Sequence, residues 1–452
     1  MQHRQSRIVG ASLCLLLGAQ GLRAQDGVAE PPRLARWSWD VSDAHRAAGR
    51  VLRESRTQAI TADGSALESR LLAIGADRAS VLLDILTRGR VPESSENDAP
   101  QIVSEPQRAL LIRALAALPE QEVRALVDAN LERDRSDAVE LASIHALGAI
   151  GKAADVLRVC ELVPVADGHA TRAGCDALRG ALTSILLRDS RAWSAVGRAI
   201  EKAPADVKET ILSAAAETES GRAFSVILDA GRLHRDLAQC AVGLLRALSA
   251  HAGAEERREC ADWCAGELDG ARPELQRSLL KTIGSVDDGT LIPDLFHWIE
   301  DENANTREAA GLALRKITGV QFPTQAALWK AWYADEQQWM HRERPMLCDR
   351  LESRDRKTVI DALRQYAQRR TFRDELAVDV LPLLERPEQE VVLLTCEVLT
   401  RLGSSAAVPR LVALLDHESP QIAQAAAAAI EKISGRTVPA SAEEARALLA
   451  SQ

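Results

Sequence analysis

The feature that most constrains the fold is a repeat within the chain. Shifting the 452-residue sequence by 116 residues superposes residues 291–332 on residues 407–448 without a gap. A proline near the start and a terminal glycine occupy matched positions, in the pairs Pro293 with Pro409 and Gly319 with Gly435. Proline fits the first turn of a helix, and glycine fits the left-handed conformation that often follows the last turn. The two copies therefore predict the same helical hairpin, present twice.

Shorter recurrences extend this pattern along the chain. Four segments begin with an apolar residue and an acid, continue through a polar turn into an Ala-rich helix, and end at glycine. They run from Leu131 to Gly151, Ile299 to Gly319, Leu384 to Gly403 and Leu415 to Gly435. Each interval is 19 or 20 residues, and each glycine is predicted to be a left-handed cap.

The composition indicates how such modules fold. The chain is 46% hydrophobic but only 3% aromatic, which is typical of helices rich in Ala and Leu. One pair of short helices cannot bury its apolar stripe alone, so neighbouring pairs must stack into a continuous core. The sequence therefore predicts an all-α fold, a right-handed superhelical solenoid of stacked antiparallel helix hairpins.

The segment 301–319 resembles the HEAT repeat family, including the HEAT-like repeats of the phycobilisome-lyase type. The resemblance rests on Asp301, Arg307, Ala309, Ala310, Leu314, Ile317 and Gly319. The copy at 416–435 departs from the pattern, because Ala423 stands where Arg307 would align. The resemblance implies a HEAT/armadillo-like solenoid over about residues 107–452, an architecture that hosts scaffolds, adaptors and a few enzymes.

The N-terminal part of the chain predicts export. Basic residues precede an apolar run at 8–17, and small residues then lead to Ala24, as in a signal peptide. Cleavage near Ala24 would place the protein in the periplasm or outside the cell, although an uncleaved anchor is an alternative. We expect a signal peptide at 1–24, an extended arm at 25–41, N-terminal helices at 42–88, an acidic Ser/Pro-rich loop at 89–106 and the solenoid at 107–452.

No motif in the chain specifies a reaction. Phosphate loops, nucleophile elbows, haem sites and the zinc pattern His-Glu-x-x-His are missing from the sequence, so we predict no catalytic, cofactor-binding or metal-binding residue. A zinc site could be formed by Cys260 and Cys264, with Cys240 and His251 nearby in the sequence. That interpretation is disfavoured, because structural zinc ligands normally come from tight knuckles rather than from consecutive helical turns.

The charge and the resemblance together favour a binding protein. The net charge is -9, which disfavours general binding to nucleic acid or anionic lipid. The leading hypothesis is an exported scaffold or adaptor that binds a protein or peptide partner through the solenoid surface. The alternatives are an enzyme that resembles the lyases and acts on a chromophore or other attached group, and a purely structural spacer.

Two cysteines are candidates for a disulfide. A hairpin hinged near Ala252 would place Cys240 and Cys264 level with each other on antiparallel helices, and an oxidising compartment would preserve the bond. The loss of Cys14 with the signal peptide leaves an odd number of cysteines, so full pairing is excluded. Two unpaired core thiols are therefore the alternative.

Trp329, Trp332 and Tyr333 share one helical stripe and could form a ligand platform. The matched positions of the second copy are also apolar, namely Ala445, Leu448 and Leu449. Apolar residues at matched positions favour core packing over ligand binding.

The candidate partner-binding residues come from the two superposable second helices. Their apolar stripes are Leu291, Leu295, Trp298 and Ile299 in the first copy, and Val408, Leu411, Leu414 and Leu415 in the second. Asp294, His297 and Arg410 must then point away from the core. The resemblance to HEAT proteins implies that second helices line the concave side, which would put these residues in a binding groove. The alternative is that they only solvate the surface.

Overall fold

Amphipathic segments of the predicted kind form helices along the whole described part of the chain. The computed structural model describes residues 41–57, 65–93, 98–369, 371–434 and 443. The predicted signal peptide, nearly all of the predicted arm, and Gly435 lie outside these residues.

The described residues up to Leu248 include helices α1 to α12. Their bounds are α1 Asp43–Thr57, α2 Ser65–Leu72, α3 Arg78–Arg88, α4 Glu105–Ala116, α5 Glu120–Arg133, α6 Asp137–Ile150, α7 Val156–Glu161, α8 Arg172–Arg188, α9 Trp193–Lys202, α10 Ala205–Ala216, α11 Gly221–Leu233 and α12 Ala238–Leu248. The later helices are α13 Ala254–Leu268, α14 Pro273–Val286, α15 Ile292–Trp298, α16 Ala304–Thr318, α17 Ala326–Leu351, α18 Arg356–Tyr366, α19 Arg373–Val380, α20 Gln389–Leu402, α21 Val408–Ala413 and α22 Pro420–Ser434.

These helices stack in two layers. Even-numbered helices from α4 to α16 contact one another in succession, and α7, α9, α11 and α13 do the same in the second layer. Within each hairpin the layers pack together, as in α11 with α12 and α13 with α14. After α17 the pattern resumes with α18, α20 and α22 in one layer and α19 and α21 against them. The predicted all-α solenoid of stacked hairpins is confirmed.

The 116-residue repeat extends further than the sequence match indicated. Adding 116 to the bounds of α14 gives the bounds of α20, and adding 116 to those of α16 gives those of α22. The predicted caps at Gly319 and Gly403 are confirmed, with φ values of 76° and 70°. The predicted left-handed cap at Gly151 is wrong, since its φ is -67°. There, Asp155 accepts a hydrogen bond from the Lys152 N–H at 2.8 Å, and the chain enters a 3-10 turn directly.

Four short strands accompany the helices within the described part of the chain. Strand β1, Arg90–Val91, pairs antiparallel with β2, Gln101–Ile102, within the segment predicted as an irregular loop. Val91 and Val103 are buried there, so apolar burial explains why the ends of that segment are ordered into a ladder. Strands β3, Val165–Ala166, and β4, His169–Ala170, form a second antiparallel pair.

The apolar interior is divided into two cores, and α17 joins them. The first core runs from Ala48 to Trp329, and the second runs from Leu347 to Ile430. Trp329 lies near the start of α17 and Leu347 near its end, so this 26-residue helix contributes to both cores. We call the parts that enclose the first and second cores the N-terminal stack and the C-terminal stack.

His145 on α6 makes the stability of the N-terminal stack depend on pH. Burial, and then the nearby positive charge of Arg108, lower the pKa of His145 to about 4. In the unfolded chain the pKa of histidine is about 6.5, so the unfolded state binds a proton first as the pH falls. Stability is therefore lost between about pH 6.5 and pH 4, by about 3 kcal/mol at most. Urea unfolding across this window should show a smaller loss for His145→Gln than for the wild type. Equal losses would contradict the assignment.

Candidate functional site

A cleft of about 570 Å³ lies where the two stacks meet. The N-terminal stack lines it with the start of α13 and the turn between α14 and α15. The C-terminal stack lines it with the start of α19 and the turn that follows α20. Because both stacks contribute walls, this cleft can exist only when they are docked.

The two sides of the cleft are copies of one another. The 116-residue shift relates their lining residues in the pairs Arg257 with Arg373, Asp287 with Gly403, and Gly289 with Ser405. Asp287 and Gly403 both adopt left-handed conformations after their helices, with φ values of 61° and 70°. The cleft is thus a place where equivalent turns of two repeats face a common space.

A buried ion pair joins the two sides. Arg373 donates two hydrogen bonds to the carboxylate of Asp287, one of them from Nη2 at 2.7 Å. The Arg373 side chain is 10% exposed and that of Asp287 22%. Burial opposes the charge of Arg373, but the hydrogen bonds to Asp287, together with the negative charges of Asp287, Asp374 and Asp288, raise the pKa of Arg373. This pair connects residues 86 positions apart across the joint between the stacks.

Arg257, the counterpart of Arg373, has a different environment. Its side chain is half-buried and makes no hydrogen bond or ion pair within the described part of the chain. Burial lowers the pKa of Arg257, and the nearby carboxylates of Asp287 and Asp374 oppose that effect. The cleft therefore holds two different guanidinium groups. That of Arg373 is paired with a carboxylate, and that of Arg257 has N–H groups that make no hydrogen bond within the described residues.

The segment before α19 is held against α17. Thr371 donates a hydrogen bond to Glu336 at 2.8 Å, and Arg369 also contacts Glu336. The guanidinium of Arg369 lies 5.0 Å from the ring centroid of Trp339. On the other side, a Cβ at Gly289 would lie 2.7 Å from the Thr371 carbonyl oxygen, so only glycine permits this approach.

A second polar cluster stabilises the C-terminal stack. Tyr366 donates to Asp379 at 2.9 Å, and its hydroxyl lies 3.2 Å from Cys348 Sγ. Arg344 binds Asp379 through two nitrogens at 2.7 and 2.9 Å. Burial raises the pKa of Cys348, so this thiol is not activated as a nucleophile. The cluster ties α17, α18 and α19 together.

The predicted partner-binding residues do not line the cleft, but they lie on the helices that follow its walls in the chain, α15 and α21. Asp294 and His297 are exposed on α15, while the apolar residues of the same helix are buried. Arg410 is exposed on α21 and forms an ion pair with Glu385 at 2.5 Å. Asp294 follows the cleft residue Thr290 by one helical turn, and the start of α21 follows Ser405 closely. No hydrogen bond or ion pair joins Asp294 or His297 to Arg410 within the described residues.

The disulfide candidates are not joined in the structure. Cys240 lies on α12 and Cys264 on α13, and both are free thiols. The expected facing hairpin does not form, because α12 packs mainly on α11 and α14 while α13 packs mainly on α14. The neighbouring thiol of Cys260 on the same helix, together with burial, raises the pKa of Cys264. Among the described residues there is no group of three or more His, Cys, Asp or Glu side chains able to hold a metal ion.

The aromatic residues of α17 serve the core, as predicted. Trp329 is fully buried, and Trp332 and Tyr333 are partly buried against the first core. Tyr333 also lines the cleft and lies 6.1 Å from Phe372 between ring centroids. No helix among the described residues is long and apolar enough to cross a membrane.

Comparison with known families gives one match. Residues 377–452 match the family of HEAT repeats. This stretch contains α20 to α22, which are the second copy of the 116-residue repeat, and Ser405 of the cleft. The HEAT-repeat match therefore includes Gly403 and Ser405 of the cleft, but not residues 371–375 of the same wall. Among curated proteins, none matches the sequence.

Several solved structures are similar to this chain at low identity. An engineered protein is 15% identical over 87% of this chain and 99% of its own, with a TM-score of 0.30. The karyopherin Kap121p bound to the SUMO protease Ulp1p is 13% identical over 86% of this chain and 45% of its own, with a TM-score of 0.37. Kap95p, from a complex with RanGDP, is 13% identical over 85% of this chain and 52% of its own, with a TM-score of 0.36. The chain spans about half the length of these karyopherins.

The cleft was not predicted from the sequence, although a signal for it exists there. The sequence match began at residue 291, and its extension upstream pairs Arg257 with Arg373 at the same spacing. What the spacing could not supply is the docking of the two stacks, which brings equivalent turns together.

Proposed function

We propose that this protein is an exported scaffold or adaptor that binds a protein or peptide partner across the joint between its two stacks. The observation that carries the proposal is the cleft with the half-buried Arg257, whose guanidinium has no partner within the described residues. Burying such a cation costs free energy unless a ligand supplies hydrogen bonds, so a partner carbonyl or carboxylate would stabilise it.

The surroundings of the cleft support a contact of protein size. Asp294 and Arg410 stand on the helices that follow its two walls, and both are exposed. A partner that filled the cleft would reach these side chains on either side. A protein that acts only as a structural spacer needs no cleft of this kind, so the cleft disfavours the spacer alternative.

Capture of the partner from the exported fraction of the native host tests the proposal. We expect Asp294→Lys/Arg410→Glu and Arg257→Ala each to weaken capture of one defined protein about tenfold, which corresponds to about 1.4 kcal/mol. Arg198→Ala is the matched control for Arg257→Ala, because Arg198 is an exposed cation on α9, away from the cleft. The changes at the exposed residues Asp294, Arg410 and Arg198 should leave helicity and stability nearly unchanged.

Two results would contradict the proposal. Undiminished capture by the cleft variants, with normal helicity, would exclude the cleft and the helices that follow it as the contact. Intact-mass analysis of the same host sample addresses export, for which a chain beginning near Gln25 is expected. A full-length species confined to the cytosol would remove the exported role.

A further inference from the structure

A groove on the even-numbered layer of the N-terminal stack is strongly basic. It has a volume of about 460 Å³ and crosses α12, α14 and α16. Its charged lining residues are all cations, namely Arg246, Lys281, Arg315 and Lys316. The whole chain has a net charge of -9, so this groove is a local reversal of the protein's field.

Close helix packing forms the floor of the groove. A Cβ at Gly284 would lie 2.8 Å from the Cα of Ala313, so α14 and α16 approach closely at small residues. Lys316 spans this contact and donates to Ser285 at 2.9 Å. Leu312 lies in the same groove with 45% of its surface exposed. The groove thus combines a shallow floor, an apolar side chain and a rim of positive charge.

Much of this positive charge is available to a ligand. Arg246 and Lys281 are exposed, and their side chains make no hydrogen bond or ion pair within the described residues. Lys316 bonds a neutral hydroxyl, and Arg315 is the one cation of the four that has a carboxylate partner, Glu308 at 2.7 Å. An acidic ligand would therefore meet three uncompensated cations.

The second copy of the repeat indicates that folding does not require three of these four cations, since only Lys316 keeps its positive charge there, as Lys432. At the positions 116 residues later, Glu397 replaces Lys281, Glu431 replaces Arg315 and Ala428 replaces Leu312. The equivalent helices α20 and α22 nevertheless begin and end 116 residues after α14 and α16, and they also pack together. The basic groove is consequently a property of one copy, added to a fold that forms without it.

We propose that this groove binds an acidic segment of a protein partner, in which a leucine or similar side chain accompanies the carboxylates. Three neighbouring helices span about 20 Å, which matches about six residues of extended peptide. Carboxylates would pair with Arg246, Lys281 and Lys316, while the apolar side chain packs on Leu312. This proposal rests on partner binding in general, and not on the cleft.

Titration with a labelled acidic peptide directly tests the proposal that the groove binds an acidic segment. The peptide carries glutamates around a leucine, and a second peptide has glutamines in place of the glutamates. We expect Arg246→Ala/Lys281→Glu to weaken binding of the acidic peptide about tenfold in fluorescence anisotropy. Binding should also weaken as the salt concentration rises, because the contacting charges are exposed. Lys281→Glu installs the residue that the second copy carries, so the variant should fold normally, as circular dichroism can verify.

The matched control changes the net charge equally at another surface. Arg198→Ala/Lys202→Glu alters two exposed cations of α9 that make no side-chain bond within the described residues. Wild-type affinity in this control, with no binding of the glutamine peptide, supports the proposal. Equal weakening in both variants, or no weakening in either, would overturn it. Tighter binding of a DNA oligonucleotide through the same groove residues would also overturn it, in favour of a nucleic-acid site.

The results of the peptide titration and of the capture experiment are independent, so they distinguish a failure of the groove proposal from a failure of the cleft proposal. If the cleft variants do not affect capture but the groove variant abolishes peptide binding, the cleft is wrong and the groove stands. If the cleft variants weaken capture and no acidic peptide binds the groove, the scaffold function stands and this inference is wrong.

Discussion

Replacing Arg373 by methionine should lower the free energy of unfolding by about 3 kcal/mol, because it breaks a buried ion pair and leaves the Asp287 carboxylate without its guanidinium. The pair is the direct ionic link between the two stacks at the cleft. Urea unfolding followed by circular dichroism measures the effect. Since each stack has its own core, the variant should also unfold less cooperatively than the wild type.

An exposed ion pair provides the control for this experiment. Arg401 pairs with Glu397 on the surface of α20, and the two side chains are 59% and 55% exposed. Arg401→Met should change stability by less than about 0.5 kcal/mol, as is usual for exposed pairs one helical turn apart. Similar small effects of both substitutions would mean that the Arg373 pair does not hold the stacks together.

Trp329→Ala should destabilise the protein by about 3 to 5 kcal/mol, the usual cost of removing a fully buried large aromatic side chain. The indole Nε1 donates to the Pro323 carbonyl oxygen at 3.0 Å, and the ring makes edge contacts with Phe322 and Trp332. Because α17 contributes to both cores, the lost packing would weaken the N-terminal stack near its joint with the C-terminal stack.

Thermal and urea unfolding of this variant should be compared with those of Leu328→Ala. Leu328 is the neighbouring residue on α17 and is 42% exposed, so its truncation removes little buried surface. A loss below about 1 kcal/mol for Trp329→Ala would contradict the assignment of the aromatic stripe to the core.

The repeating helices could be predicted from the sequence because their signals are local. Pro293 and Pro409 mark helix starts, and Gly319 and Gly403 mark helix ends, through backbone preferences that need no knowledge of neighbours. Gly151 shows the limit of that reasoning, since the hydrogen bond that the Lys152 N–H donates to the Asp155 carboxylate gives the chain a different conformation after this helix.

The pairing of helices was harder to predict than their existence. Equal distances from Ala252 suggested that Cys240 and Cys264 would face each other. The stack instead packs α12 mainly on α11 and α14, and α13 mainly on α14, so the consecutive helices α12 and α13 do not form a facing pair.

The sites depend on contacts between distant parts of the chain. The exposure of Asp294 and His297 followed from helical periodicity, but the cleft required Arg373 to meet Asp287 from 86 residues away. The basic groove likewise required three helices, α12, α14 and α16, to lie side by side. Each of its cations is unremarkable in the sequence, where charges are spread along every helix.

Hydrogen exchange on the complex with the captured partner tests the central claim most directly. Partner binding across the joint should slow amide exchange in residues 254–258, 287–290 and 371–375, which are the cleft walls from both stacks. The same peptides from Arg257→Ala, mixed with the partner at the same concentration, should be protected less. Protection confined to one stack and remote from these segments, or no change in exchange at either wall, would contradict a partner site between the stacks.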